Sequence, residues 1–287
     1  MRTDSTPQES KGMRIVVCVK EVLDPDAVGA YALSGGLVVG EDGKTLTQTT
    51  IPRLMNSYDE QAIEAALRIR ESGTDCQITV VSVGTEVTAP LRHAMSLGAD
   101  EIVALTPPDP EPDFHAAAVL LAGYLRSGAG ADLVLCGRQA SDDDQGVVPA
   151  LLGEALDMPV VTVARAVEIA DSPAGTVVRV TRVTPEGDEL VQAPLPAVVT
   201  VSSELGEPRY PTMSMRMAAR KVQPEVITPD MLSLTGDDLK PRITLVRQFV
   251  PTLKGDCELM AGDQPAELAE QLVTRLVEDR LVPGRSS

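Results

Sequence analysis

The chain has 287 residues, 43% of them hydrophobic and 23% charged, with a formal net charge of −17. That length builds one large or two ordinary domains with a full core, while the acidic balance excludes the basic surface that nucleic acid requires. No apolar run approaches the roughly eighteen residues of a membrane span, so a membrane-spanning protein is not expected.

The first residues, 1–12, are polar, contain no apolar segment of the secretory type, and are expected to be a disordered extension. Arg14 to Lys20 is an apolar run bounded by charges, the pattern of a central strand. Residues 37–50 hold two short extended pieces about Asp42-Gly43, which predicts a hairpin. A helix is expected from Ser57, where Ser57 and Glu60 have capping-box spacing and Ala62, Ile63, Ala66 and Leu67 recur at helical intervals. Arg68 and Arg70 suit its carboxyl end and Gly73 stops it. The alternation repeats with a strand at 78–83, a helix at 88–97 ended by Gly98, a strand at 101–105 and a helix at 113–127. Strands alternating with helices of this length imply a mainly parallel sheet covered on both faces, a Rossmann-like α/β fold.

Leu133 to Pro149 is the stretch with chemical content. Leu133–Cys136 reads as a strand buried on both faces, Gly137–Gly146 as a polar loop, and the residues beyond as a helix. Such a strand–loop–helix unit offers backbone N–H groups to an anion at the carboxyl end of a sheet. Asp142, Asp143 and Asp144 oppose that reading, because carboxylates near a helix start favour the helix itself and cap it. Spacing alone favours capping. Consecutive aspartates converge poorly on one ion, so no metal is assigned. Cys18, Cys76, Cys136 and Cys257 are widely spaced with no CxxC pair, and Cys18 and Cys136 lie in apolar runs, which suggests buried free thiols rather than disulfides and a reducing cytoplasm. His93 and His115 lie in helical patterns with no catalytic setting, and no catalytic residue is expected.

Beyond Pro159, residues 160–168, 177–184 and 188–192 are extended and rich in Val and Thr. They are expected to continue the sheet as antiparallel strands ending with Ala197–Val201. Composition shifts near 236, and Pro265 opens a helix to about Leu281 with a stripe of Leu268, Leu272, Leu276 and Val277. The division expected is an α/β domain over 13–235 and a C-terminal arm over 236–287, packed on its own body or on another chain.

The segment Val199 to Tyr210, VTVSSELGEPRY, resembles the signature of the electron transfer flavoprotein β subunit family, also called the FixA family. Four more blocks agree in order: VCVKEVLDPD, MNSYDEQAIEAALRIRE, AMSLGADE and CGRQASDDD. The resemblance implies an electron carrier without catalytic residues of its own. It pairs with an α subunit that holds most of the FAD, and carries electrons from a flavin dehydrogenase to a quinone oxidoreductase or another acceptor. It also implies an adenine nucleotide in the β subunit, AMP in the ordinary type and a second FAD in the bifurcating type. Carried onto this chain, the nucleotide contacts fall on Cys18, Asn56, Val83 and the loop Gly137, Arg138, Gln139, Ala140, Asp142, Gln145, Gly146, Val147 and Val148. Tyr58 takes the aromatic position on the flavin side, and Leu205, Glu207, Arg209 and Tyr210 fall in the partner-binding region. Val147 stands where the family has a polar side chain, a loss of about 1 kcal/mol for one hydrogen bond. Gly206 replaces the usual Asn, and the basic run Met217-Ala-Ala-Arg-Lys221 is thin. A stand-alone α/β adenine-nucleotide-binding protein is the alternative from another class, but the chain has no GxxxxGK[ST] loop.

Overall fold

Apolar runs alternate with helical stretches through the first half of the chain, and each run takes its place in one sheet. The computed structural model describes residues 12–48, 50–108, 112–251 and 257–282, so the extension expected over 1–12 lies outside them apart from Gly12. The chain divides into two compact units, Met1–Gln248 and Phe249–Ser287, a boundary later than the composition shift at 236. The first unit starts with β1 (Met13–Val19), β2 (Glu21–Leu23), α1 (Pro25–Leu33), β3 (Arg53–Met55) and α2 (Ser57–Glu71). It continues through β4 (Cys76–Val83), α3 (Thr88–Leu97), β5 (Glu101–Leu105), α4 (Phe114–Tyr124), β6 (Leu133–Gly137) and α5 (Val148–Leu156). The strands β7 (Val160–Ser172), β8 (Gly175–Thr184), β9 (Gly187–Pro194) and β10 (Ala197–Val201) follow, then α6 (Met213–Ala219) and β11 (Glu225–Ile227).

Nine strands form the main sheet in the order β11-β5-β4-β1-β6-β10-β7-β8-β9, and β2 pairs with β3 in a small antiparallel ribbon. Pairing is parallel from β11 to β7 and antiparallel only at β7-β8-β9. Alternate residues of each central strand point to opposite faces. Ile15, Val17, Leu133 and Leu135 therefore pack under α2 and α3 with Ile63 and Leu91. Val16, Val81 and Val134 pack on the other face with Leu120 of α4 and Leu152 of α5. Each of these side chains contributes about 2 kcal/mol by leaving water.

Three expectations need correction. β10 does not end an antiparallel run; it lies parallel between β6 and β7, and all five of its residues are buried. A Val-rich run buried on both faces belongs in the middle of a parallel sheet. The Ser57–Glu60 capping box does not form: Asn56 is the N-cap without a side-chain cap bond, and Glu60 Oε1 meets His93 Nε2 at 2.9 Å instead. The hairpin about Asp42-Gly43 reduces to one bridge, Val39 to Leu46, because the Asp42 carboxylate accepts the amides of Lys44 and Thr45 and tightens the turn.

In the second unit, α7 (Pro265–Glu278) buries none of its residues. Arg275 on it pairs with Glu258 at 3.1 Å and with Asp279 at 3.5 Å.

Candidate functional site

The chain leaves β1 toward β4 and leaves β6 toward β10, so the sheet's switch point lies between β1 and β6. Open α/β sheets bind their ligands beyond the carboxyl ends of the strands at such a point. Cys18 and Cys136 stand opposite one another there, in register on the two strands. The Cys136 thiol is pushed up by the hydrogen bond it donates to Cys18 and by burial, which keeps it protonated and unreactive. Val83 closes the end of β4 beside them, half-buried.

Two side chains at the start of α2, the N-cap Asn56 and Asp59 of the first turn, tie the strand ends and the loop together. Asp59 is 5% exposed, and its carboxylate accepts the amide of Lys20 at 2.7 Å and that of Gly137 at 3.0 Å. Burial without a full countercharge pushes its pKa up to about 7, although the two amides, Asn56 and the Lys20 charge all pull it down. Asn56, 1% exposed, donates to the carbonyl of Gln139 at 2.8 Å and accepts from the amide of Ser141 at 3.2 Å. Gly137 is the only residue type that fits here, because a Cβ would lie 2.8 Å from Cβ of Tyr58 and 2.9 Å from its carbonyl carbon. The Arg138 guanidinium lies 5.7 Å from the Tyr58 ring centroid, a cation–π distance.

The aspartate triplet does not cap α5. The helix starts after Val147 with no side-chain cap bond, so the carboxylates are held elsewhere. Lys20 Nζ meets Asp142 at 2.9 Å and Asp143 at 3.1 Å. Burial pulls the Lys20 pKa down, but the two aspartates together raise it. Asp144 takes a left-handed backbone, φ 53°, and accepts from the Gln139 side chain at 2.8 Å. Asp143 also accepts the amide of Gln145. Gly146, φ 61°, turns the loop where a Cβ would approach the Arg138 carbonyl to 2.7 Å. The capping reading therefore fails, and α5 presents its first turn without a side-chain acceptor. A nucleotide's phosphate suits such a turn, since the N–H groups there are donors and two of the three nearby carboxylates share a cation.

The partner-region residues behave differently from one another. Leu205 is 7% exposed and belongs to the buried core beside α2 and β7, so it presents no apolar tip to another protein. Arg209 is also turned inward, onto Glu64 and Glu71 of α2. Glu207 and Tyr210 are exposed, Tyr210 at 84%. Met213, at 73% exposure, and Met217 extend that apolar edge along α6. The sequence reading missed both methionines as surface groups, and missed Lys20 and Asp59 as parts of the loop site. His115 keeps a buried ring nitrogen without a partner, and no group of three or more potential metal ligands occurs among the described residues. No helix among those residues is long and apolar enough to cross a membrane.

Sheet order, crevice and loop together define a doubly wound α/β protein of the type that holds its ligand at the carboxyl edge. A sequence model of the electron transfer flavoprotein domain matches residues 44–232. The electron transfer flavoprotein subunit beta of Bacillus subtilis (strain 168) is 36% identical over 229 residues, which is 78% of this chain and 85% of that one. The corresponding subunit of Thermoanaerobacterium thermosaccharolyticum is 32% identical over 270 residues, 92% and 98% of the two chains. Subunit CarD of the caffeyl-CoA reductase–Etf complex of Acetobacterium woodii is 30% identical over 280 residues, 94% of this chain and 100% of that one. The chain belongs to the electron transfer flavoprotein family, in its β-subunit branch. It is an electron-transfer subunit rather than an enzyme.

Proposed function

We propose that this chain forms a heterodimer with an α subunit that carries the FAD, and that the pair moves electrons in the cytoplasm from a flavin dehydrogenase to a quinone oxidoreductase or another acceptor. Within the pair the β chain holds AMP as a structural ligand. The observation that carries this reading is the pair of ties from α2, Asn56 to the 139–141 backbone and Asp59 to Lys20 and Gly137. They fix the loop at the switch point while the start of α5 stays without a side-chain cap. Cys18 and Val83 would line the adenosine side, and the amides from Gly146 to Val148 would take the phosphate. Only the α chain brings the redox-active ring, so no acid–base group is required here. The exposed edge at Glu207 and Tyr210 supports contact with a partner protein.

A second reading puts FAD in place of AMP. It is favoured by the match to a subunit of a reductase–Etf complex over 94% of this chain and by the half-buried Tyr58 ring beside Arg138 of the loop. Co-expression with a candidate α subunit, followed by denaturation and counting of released flavin and AMP, decides between them. One FAD and one AMP per heterodimer are expected. Two FAD and no AMP give the second reading. A colourless monomer that binds ATP and pairs with no α subunit overturns both, in favour of a stand-alone nucleotide-binding protein.

A further inference from the structure

Arg209 belongs to the motif that carries the family resemblance, yet its side chain faces its own chain. Its Nε meets Glu64 Oε2 at 2.7 Å and its Nη2 meets Glu64 Oε1 at 3.2 Å. Its Nη1 and Nη2 meet the two Glu71 oxygens at 2.6 and 3.0 Å. Four of the five guanidinium N–H groups are thus engaged by two carboxylates, and the Arg209 amide adds a contact to Glu64 at 3.3 Å. Glu64 is 6% exposed, so nothing outside the chain reaches it. Arg68 completes the arrangement, binding Glu64 Oε1 at 2.8 Å and the Leu205 carbonyl at 2.9 Å. One face of α2 therefore grips the segment at both ends of its turn, at Leu205 and at Arg209. Directly beyond the grip come the exposed side chains of Tyr210, Met213 and Met217.

We propose that Arg209 is a positioning residue: clamped on Glu64 and Glu71, it sets the turn that presents the Tyr210–Met217 edge, and it does not touch the partner protein. This rests on the reading that the edge faces a partner, but the clamp itself can be tested in the lone chain. The whole strength of an arginine fork is spent internally, and a lysine cannot reproduce two bidentate contacts. Recognition then falls to the exposed apolar side chains, and the charge of Arg209 contributes nothing directly.

The test uses the full chain and limited trypsin digestion, following cuts after Arg216, Arg220 and Lys221 by mass spectrometry, with thermal melting as the check on folding. Arg209→Gln is expected to speed those cuts about 10- to 100-fold while cuts elsewhere keep their rates, and Arg209→Lys to recover part of the protection. Glu64→Gln is expected to act as strongly, and the double variant no more than either alone, since residues that work as one unit are not additive. In Arg209→Gln alone Glu64 keeps Arg68 as its partner, and the double variant removes that remaining charge as well. Wild-type cutting rates in Arg209→Gln, or effects that multiply in the double variant, overturn the clamp. In the heterodimer, electron transfer from a flavin dehydrogenase is expected to fall by one common factor in Arg209→Gln, Glu64→Gln and the double variant. An extra loss from Arg209→Gln in the Glu64→Gln background would mean that Arg209 meets the partner, and would overturn the proposal. Failure of the unaltered chain to form a heterodimer tells instead against the functional reading, and the digestion still decides the clamp.

Discussion

Asp59 and Glu64 lie little more than one turn apart on α2, almost equally buried at 5% and 6% exposure, and the protein treats them in opposite ways. Burial pushes Asp59 up to about 7, and the backbone amides of Lys20 and Gly137 only partly resist it. Burial pushes Glu64 up as well, but the guanidiniums of Arg209 and Arg68 outweigh it, and its pKa ends below the usual value. At Asp59 two amides do not outweigh the cost of burial, whereas at Glu64 two guanidiniums do. One helix therefore has a pH-sensitive end at the candidate nucleotide site and a firmly ionised stretch beneath the Leu205–Arg209 segment.

The largest effect should come from breaking the ionised stretch. Glu64→Gln takes the shared carboxylate away from Arg68 and Arg209, whose side chains are 43% and 32% exposed, and losing hydrogen bonds to a charged group typically costs about 1.5–3 kcal/mol. Chemical denaturation at pH 7 should show a loss of about 2–3 kcal/mol, and a change below about 0.5 kcal/mol would mean that solvent screens the pair as it does at a surface. Because the Glu64 pKa is depressed, its stabilisation is complete above about pH 4.5, the ordinary glutamate value, and is lost as pH falls through the lower folded value.

Asp59 has the reverse sign. The folded chain holds its proton more tightly than the unfolded chain does, so stability is greatest below about pH 4 and declines until pH passes about 7. Between pH 5 and 7 the wild-type chain should lose about 2 kcal/mol relative to Asp59→Asn, which does not titrate. The variant has its own constant cost of about 1–3 kcal/mol, since one of its two faces turns an NH2 toward a backbone donor. The informative quantity is the difference in melting temperature between variant and wild type measured from pH 5 to 8. It should move in the variant's favour as pH rises, and a flat difference would show that Asp59 is ionised throughout.

Neither carboxylate announced this contrast in the sequence. Strand–helix alternation was legible because continuous apolar runs such as Leu133–Cys136 and helical spacing such as Ala62, Ile63, Ala66 leave periodic traces. The place of β10 was not, because a short Val-rich run reads alike whether its neighbours run parallel or antiparallel. The 137–148 loop was legible as a motif, and the resemblance pointed to Asn56. Lys20 and Asp59 were invisible, because their roles come from contacts with β6 and the loop, far along the chain. At Arg209 and Leu205 the motif suggested a partner surface, while the fold turned both side chains inward. Met213 and Met217 lacked any flag, since exposure of a methionine depends on which face α6 leaves open.

The smallest expected effect concerns charge at the crevice. Lys20 Nζ neutralises part of the Asp142–Asp143 pair beside the start of α5. Lys20→Met leaves both carboxylates without that cation, so a phosphate arriving at the helix start meets more negative potential. The ion pair is partly exposed, and such interactions are worth about 1 kcal/mol or less, which corresponds to AMP binding weakened by about 3- to 5-fold in calorimetry at low salt. Adenosine lacks the phosphate and should bind the variant as it binds the wild type, and added salt should shrink the AMP deficit by screening. Lys20→Arg should keep AMP affinity. Equal losses for AMP and adenosine would mean that Lys20 shapes the loop through its contacts, and the crevice end of α2 would then depend on geometry alone, as the Asp59 ties do.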